Sequence, residues 1–481
     1  MTANHNTDYD KVKNKTIKTI ARAGGGKSTY LKQTSDQLYK NHGYTSKIIS
    51  FSRTGAGTYG QTLHSYISST SSERNIHNFR QIMDYSEYLK MCIENSGISS
   101  NKTTYENAKS DISHIRHGKM LAAISVWDWM RSVYHVSLFL DHGKKINIRN
   151  MEEAYNEYIE RFGCPVYHPL YEKIRDPVTK KNGDVVFPAR IRKRRTSNMF
   201  DFSTLCEIIQ YYENWKKTMN YDDYADILLY PLLYPHLPLI PEADVLMIDE
   251  AQDCAPIHWS IIWSFACDDR IQEVYLVGDD SQCLYDFTGA NPAYLQTFPC
   301  QNQSTNGKNV VLPHVYRYGK NIWKNACKFL EKTNTPYSSD HVQPRNHKDY
   351  VFDTHGEDGL IKIIKKIPKN ERESTAIIVA TNSQGKHISR LLNQEIYSIE
   401  EHNLGLYDEV SKFPVQTFHK VKGGNFDNAL TVFSVPKKWV QRSKDRTEFA
   451  RMLYVGVTRA RKVQINAHNV FPRQVDMDTI I

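Results

Sequence analysis

Short apolar runs with the make-up of strands occur in two blocks of this chain, and a long stretch with a different rhythm separates them. In the first block TIKTI (Thr16 to Ile20) leads into a glycine-rich turn and then into KSTYLKQ, the start of a helix; KIISF (Lys47 to Phe51) reads as a further strand. From Tyr66 to about Asn220 the spacing turns to helices and loops, rich in Tyr, Ser, Asn and basic residues, with no strand followed by glycine. Apolar strands return at DVLMID and EVYLVGD, and from about Gly307 a second block alternates NVVLP, TAIIVAT, PVQTF, ALTVFSV and KVQINA with helical stretches. Strands that are apolar along their whole length belong in sheets covered on both faces, and alternation with helices builds parallel ones. The pattern predicts an α/β protein of two lobes. Residues 1–66 with 220–305 are expected to form the first, 67–219 a mostly helical insert, and 306–481 the second.

Composition adds little to that division. A chain of 481 residues exceeds what one core usually organises, which agrees with domains of roughly 100–200 residues. The formal charge of +9 and 11% aromatic residues suit a polyanionic partner without demanding one. Eight cysteines, at 92, 164, 206, 254, 267, 283, 300 and 327, form no CxxC pair and no metal-ligand spacing, so reduced thiols in a cytosol-like compartment are expected. The opening MTANHNTDYDKVKNK lacks the apolar core of a signal, and no later run approaches the ~20 apolar residues of a membrane span. The expectation is a soluble, cytoplasmic protein with no membrane partner.

Two segments carry chemistry. ARAGGGKS (Ala21 to Ser28) differs from the GxxxxGK[ST] phosphate loop only in having Ala21 at the first glycine. Gly24, Gly25 and Gly26 let backbone N–H groups approach phosphate oxygens, Lys27 would reach the β- and γ-phosphates, and the Ser28 hydroxyl would ligate Mg2+. VLMIDEAQDC (Val245 to Cys254) ends an apolar strand abruptly in Asp249, Glu250 and Asp253, which costs folding free energy unless a cation or a reaction needs it. A nucleotide held at the loop needs its metal secured from a second strand end, which suits Asp249, and Glu250 beside it can polarise an attacking water. Either segment alone also fits an ordinary turn or an acidic helix start. Together they point to a magnesium-bound nucleoside triphosphate, with ATP the first candidate.

Four further segments follow in order: GDDSQCLYDFTGA (Gly278 to Ala290), LPHVYRY (Leu312 to Tyr318), TFHKVKGGNFD (Thr417 to Asp427) and YVGVTRAR (Tyr454 to Arg461). The ordered set resembles the motifs of the UvrD/Rep-type superfamily 1 helicases over most of the chain outside the insert. The resemblance implies two RecA-like P-loop NTPase lobes with an ATP site between them, and 3′-to-5′ travel on single-stranded DNA up to single/double-strand junctions. It makes Ala23, Gly24, Gly25, Gly26, Lys27, Ser28 and Thr29 the nucleotide loop, with Ser28 and Asp249 on magnesium. It implies that Gln282 senses the γ-phosphate, that Tyr316 stacks on the base, and that Arg317 and Arg459 stabilise charge on the transferring phosphoryl group. Planar guanidinium donors match the charge that develops on equatorial oxygens and can contribute several kcal/mol at the transition state.

The same resemblance implies strand contacts from Phe51 and Arg53 in FSRTGA, from Thr62, His64 and Ser65 in TLHS, from Tyr285 and Phe287, and from Asn382 and His419 in the second lobe. Aromatic stacking is worth ~1–3 kcal/mol per base and tolerates any sequence, as a motor that steps along DNA requires. There are departures. No glutamine motif precedes the loop, Phe287–Thr288 stand for a Trp–Arg pair, Ala380 for an arginine, and Asn425 for a glutamate near the ribose. About twenty residues between Asn393 and Pro414 are too few for the accessory domain that the family commonly carries there. These changes keep two alternatives open: a translocase that strips proteins without efficient unwinding, and a non-catalytic nucleic-acid-binding component of a larger assembly. YADIL (Tyr224 to Leu228) resembles the family's segment before the acidic motif. ARIRKRRTSN (Ala189 to Asn198) is a candidate for duplex phosphates or simply a solvated loop. Replication or repair proteins are the implied class of partner, none identified by sequence. The abundance of Lys, Asn, Ile and Tyr and the pared-down plan suit a phage-infected bacterial host.

Overall fold

The computed structural model describes residues 4–51, 60–74, 81–82, 117–141, 143, 145–162, 166–167, 178–179, 185–186, 198–199, 201–237, 239–301, 310–398, 412–443 and 446–481. Two five-stranded sheets organise them. The first contains β1 (Thr16–Ile20), β2 (Ser46–Ser50), β3 (Gln61–Thr62), β4 (Val245–Asp249) and β5 (Glu273–Gly278), in the spatial order β1-β5-β4-β2-β3. Every pairing in it is parallel. The unbroken apolar run of β4 has a direct reason: all five of its residues are buried, with Leu246 and Ile248 in the core on one face and Val245 and Met247 in the core on the other.

The second sheet contains β6 (Tyr350–His355), β7 (Thr375–Val379), β8 (Val415–Thr417), β9 (Phe426–Val432) and β10 (Ala460–His468), in the order β6-β10-β9-β7-β8, again parallel throughout. Ala376 and Ile378 of β7 face one core, and Ile377 and Val379 the other. The α/β class read from the strand pattern is what the structure has, two parallel sheets in keeping with two RecA-like lobes.

Between the strands of the first sheet, the helices His117–Tyr134, Ile148–Phe162 and Phe202–Met219 gather around their own apolar cluster, which includes Trp127, Met130, Met151, Tyr155, Ile209 and Tyr212. Buried ion pairs tie this cluster to the helix Tyr224–Leu233. The Arg131 guanidinium donates to both Asp223 oxygens at 3.0 and 2.8 Å, and the Lys216 ammonium to Asp223 at 3.0 Å and Asp226 at 2.8 Å. Asp223 and Asp226 also form a reciprocal capping box at the start of that helix. The YADIL segment is therefore built into the frame.

The two sheets meet closely. Val311, just past the expected boundary at 306, bridges Ile20 in parallel, and the Leu312 N–H donates to the Ile20 carbonyl at 2.8 Å. The chain entering the second block thus first lines the edge of β1. One apolar cluster then runs from Ile20, Ala23 and Leu246 through Val315 and Tyr318 to Phe418, Leu453 and Tyr454. Cys206, Cys254, Cys267, Cys283, Cys300 and Cys327 are free thiols. Among the described residues no helix is long and apolar enough to cross a membrane. Arg53, most of the basic run 189–198 and the connection 399–411 lie outside the described residues.

Candidate active site and strand track

β1 delivers the chain into a tight loop. Gly24 and Gly26 take left-handed φ angles of +79° and +80°, which a residue with a Cβ resists, and the Gly25 N–H donates to the Arg22 carbonyl at 2.6 Å. The helix Lys27–His42 starts at once, and Gly26 gives it no side-chain cap, so the orphan N–H groups of its first turn suit an anion. A second constraint acts on the same glycines. A Cβ on Gly24 would stand 2.5 Å from the Arg317 Cβ, one on Gly25 2.8 Å from the Arg22 carbonyl oxygen, and one on Gly26 3.4 Å from the Tyr316 ring. The Tyr316 N–H donates to the Gly24 carbonyl at 2.9 Å. The loop is glycine-rich both for what it could bind and for how closely the second block lies on it.

β4 brings up the acids. Glu250 holds a left-handed φ of +54°, a strained conformation for a side-chain-bearing residue and one that concentrates at functional sites. Its N–H donates to Asp249 Oδ1 at 2.8 Å, Gln252 Nε2 donates to its Oε2 at 2.7 Å, and Lys27 Nζ lies 3.3 Å from its Oε1. Burial, then the charge of Glu250, pushes the Asp249 carboxyl up to about 7. Burial would raise Glu250 as well, but the ammonium groups of Lys27 and Lys422 override it and hold that carboxyl at about 2. Asp249 is thus a buried carboxyl short of positive charge, a setting that fits a divalent cation, and Ser28 lines the same cleft.

Lys422 reaches in from the second block. It donates to both Asp253 oxygens at 2.5 and 2.6 Å and to the Gln282 carbonyl at 2.5 Å. Burial nevertheless outweighs its charge and raises Asp253 to about 7. Gln282 itself is fixed at both ends of its amide: Nε2 donates to Asp279 at 2.6 Å, and Oε1 accepts from Arg459 Nη2 at 3.0 Å.

These groups surround a cleft of about 750 Å³. One wall is Gly24 to Thr29 with Asp249, Glu250 and Asp253; the other is Tyr316, Arg317, Arg345, Lys422, Asn425 and Arg461. Arg317 lines it and donates to the Thr458 carbonyl at 2.9 Å. Arg459 does not. It is 1% exposed, one layer behind Gln282, and burial together with the charge of Arg317 pulls its pKa down to about 9. Ala23 is also one layer back, its N–H on the Tyr454 hydroxyl at 3.2 Å and its carbonyl on the Tyr318 hydroxyl at 2.8 Å.

A row of rings runs past the cleft. Tyr224 neighbours His64 at 5.9 Å, His64 neighbours His258 at 5.9 Å, His258 neighbours Phe51 at 5.4 Å, and Phe51 neighbours Tyr285 at 5.2 Å. From Tyr285 the row continues to Phe287 at 5.9 Å and on to His419 at 5.5 Å, which belongs to the second block. Phe287 is 56% exposed, and Lys422 Nζ stands 5.2 Å from the Tyr285 ring centre. A groove of about 720 Å³ opens at one end, lined by Phe51, Thr62, His64, Ser65 and Tyr224 among others.

A family model for the UvrD/REP helicase N-terminal domain matches residues 3–303, more than half of the chain. The chain belongs to the UvrD/REP helicase family. It is 27% identical over 201 residues to the protein named "Putative ATP-dependent DNA helicase YjcD" of Bacillus subtilis, and 29% identical over 110 residues to "F-box DNA helicase protein 1" of Schizosaccharomyces pombe. These matches cover 39% and 19% of this chain but only 26% and 12% of the relatives' own lengths.

In this UvrD/REP-family chain the motif residues separate into layers. Lys27, Ser28, Thr29, Asp249, Glu250, Tyr316 and Arg317 share the cleft, while Ala23, Gln282 and Arg459 stand behind it. Of the strand candidates, Phe51, His64, Tyr285, Phe287 and His419 fall in the ring row. Thr62 spends its hydroxyl capping the helix Leu63–Glu73 by accepting from the Ser65 N–H at 3.2 Å, and Asn382, exposed at a helix start, lines neither cleft nor groove. Arg345 and His258 lie outside the motif segments, and Lys422 and Arg461 lie inside TFHKVKGGNFD and YVGVTRAR with no role read from them there.

Proposed function

We propose that this chain is an ATP-dependent motor on single-stranded DNA, a DNA helicase that hydrolyses ATP between a lobe of residues 1–66 with 220–305 and a lobe of residues 306–481. One observation carries the reading: the walls of the cleft come from opposite halves of the chain, with Arg317 packed on Gly24 and Lys422 bonded to Asp253.

Each group then has a task its surroundings suit. The glycine loop offers backbone N–H groups to phosphate oxygens, and Lys27 leaves Glu250 to meet the β- and γ-phosphates. Ser28 and Asp249 would hold Mg2+, which neutralises charge across those phosphates when bound. Glu250, which the Lys422 ammonium still favours in its ionised form once Lys27 has turned to the phosphates, orients the attacking water. Tyr316 stacks on the base, Arg317 faces the transferring phosphoryl group from the cleft wall, and Arg459 acts through the amide of Gln282. Lys422 bonds to the cleft at Asp253 and Gln282 and also stands against Tyr285 of the ring row, so a change in lobe separation moves both. The row from Tyr224 to His419 is the strand track, and the polarity is 3′-to-5′.

Steady-state ATP hydrolysis with and without single-stranded DNA tests the reading. The wild type should be stimulated by DNA, and Lys27→Ala and Glu250→Gln should each abolish turnover. Strand displacement from duplexes with a 3′ or a 5′ tail assigns the polarity and separates unwinding from translocation alone. A wild type whose hydrolysis ignores DNA would overturn the proposal.

A further inference from the structure

Arg22 occupies the second position of ARAGGGKS, where phosphate binding asks for backbone and nothing from a side chain. Its guanidinium is nevertheless wholly buried, with 0% of the side chain exposed. Arginine enters an interior only when its charge and donors are matched. Here two other pieces of chain match them. Nη1 donates to Asp279 at 2.8 Å, to Asp280 at 2.9 Å and to the Ser281 hydroxyl at 3.2 Å. Nε donates to the Ser339 hydroxyl at 2.8 Å, and Nη2 to the Tyr337 carbonyl at 2.8 Å and the Thr335 hydroxyl at 3.2 Å. The nucleotide loop, the turn after β5 and the segment 335–339 of the second block are therefore fixed to one another through a single side chain.

The link continues beyond Asp279. Its first oxygen takes Arg22, and its second accepts from Gln282 Nε2 at 2.6 Å and the Tyr454 hydroxyl at 3.3 Å. Gln282 Oε1 accepts in turn from Arg459 at 3.0 Å. Tyr454 also receives the Ala23 N–H, so loop and glutamine are joined at two adjacent loop residues. With Arg22 removed, the oxygen of Asp279 that it serves would be a buried anion without a cation, and protonation or rotation of that carboxyl would release the Gln282 amide.

We propose that Arg22 is a positioning residue that couples the nucleotide loop to Gln282 through Asp279, so that the glutamine amide is oriented when the loop is loaded. The inference rests on the hydrolytic reading above. A plain structural brace is the competing account, and the two differ in what a variant loses.

Arg22→Lys keeps the charge but offers three N–H groups on a compact ammonium in place of a planar fork of five, too few to hold the six partners of Arg22 in the turn after β5 and segment 335–339. Asp280→Asn removes one carboxylate from the same guanidinium while leaving the Asp279–Gln282 bond. For Arg22→Lys we expect a cooperative melt, affinity for a fluorescent ATP analogue within about threefold of wild type, and DNA-stimulated kcat lower by roughly tenfold or more. Asp280→Asn should melt at a lower temperature yet keep kcat within about twofold. Wild-type kcat in Arg22→Lys, or losses in both variants that only follow the folded fraction, would overturn the proposal. If Arg22→Lys does not fold, Asp279→Asn decides, because it breaks the same link with Arg22 still paired to Asp280; wild-type kcat there overturns the coupling. A wild type without hydrolysis overturns the underlying reading, and the wild-type arm alone shows it.

Discussion

Gly24 is constrained from two directions, by its left-handed backbone and by the Arg317 Cβ that any side chain would strike. Gly24→Ala therefore has to displace the Tyr316–Arg317 segment as well as bear the ~1–2 kcal/mol of a left-handed backbone. ATP turnover should fall by roughly tenfold or more with the melting temperature lowered by several degrees, as steady-state kinetics and a thermal melt would report. His258 makes a different kind of prediction. It is 5% exposed, its Nδ1 accepts from the Ala255 N–H at 3.2 Å, and burial together with His64 pulls its pKa down to about 3. The folded protein keeps this ring neutral while the unfolded chain protonates it near pH 6.5, so its contribution is complete above that pH and is lost as pH falls toward 3. Between pH 6.5 and 5 the loss is about 2 kcal/mol. His258→Gln, which can still fill the capping position, should flatten that part of the pH dependence in urea unfolding. At this scale the motif glycines and acids were legible because their chemistry dictates their spacing. Arg22 and Lys422 were not, since nothing local to ARAG or HKVK announces partners such as Asp279 or Asp253 far along the chain.

Among the elements, the strands were the most readable part, because a strand covered on both faces carries an unbroken apolar run, as Val245 to Ile248 of β4 and Ala376 to Val379 of β7 do. The insert was less readable. Its helices could be inferred from spacing, but the polar residues that lock them, Arg131 and Lys216 against Asp223 and Asp226, look in sequence like any solvated charges. Arg131→Met would leave Asp223 with fewer cations in a buried site and should cost about 3 kcal/mol or more, visible as an earlier thermal transition in the fluorescence of Trp127 and Trp215. Pairings between distant segments were also silent. The bridge from Val311 to Ile20 places the start of the second block on the edge of the first sheet, which alternation of strands and helices has no means to express. Thr62 shows the converse, a residue in a strand-contact motif whose hydroxyl is committed to a helix cap.

For the molecule as a whole, the arrangement places a charged cleft and a row of rings on the same two lobes and joins them through Lys422. Neither half of the chain lines the whole cleft: the glycine loop and acids stand on one wall, and Tyr316 and Arg317 on the other. Motif order revealed that both halves would contribute, but not which groups reach the cleft. Arg317 lines it, whereas Arg459 is buried behind Gln282. The central claim is that hydrolysis needs the far wall as much as the near one. Turnover by Arg317→Ala at saturating ATP and single-stranded DNA, with binding of a fluorescent ATP analogue measured alongside, tests it most directly. We predict binding within about threefold of wild type and kcat lower by roughly 10³-fold, while an Arg317→Ala enzyme that turns over at the wild-type rate would contradict the account.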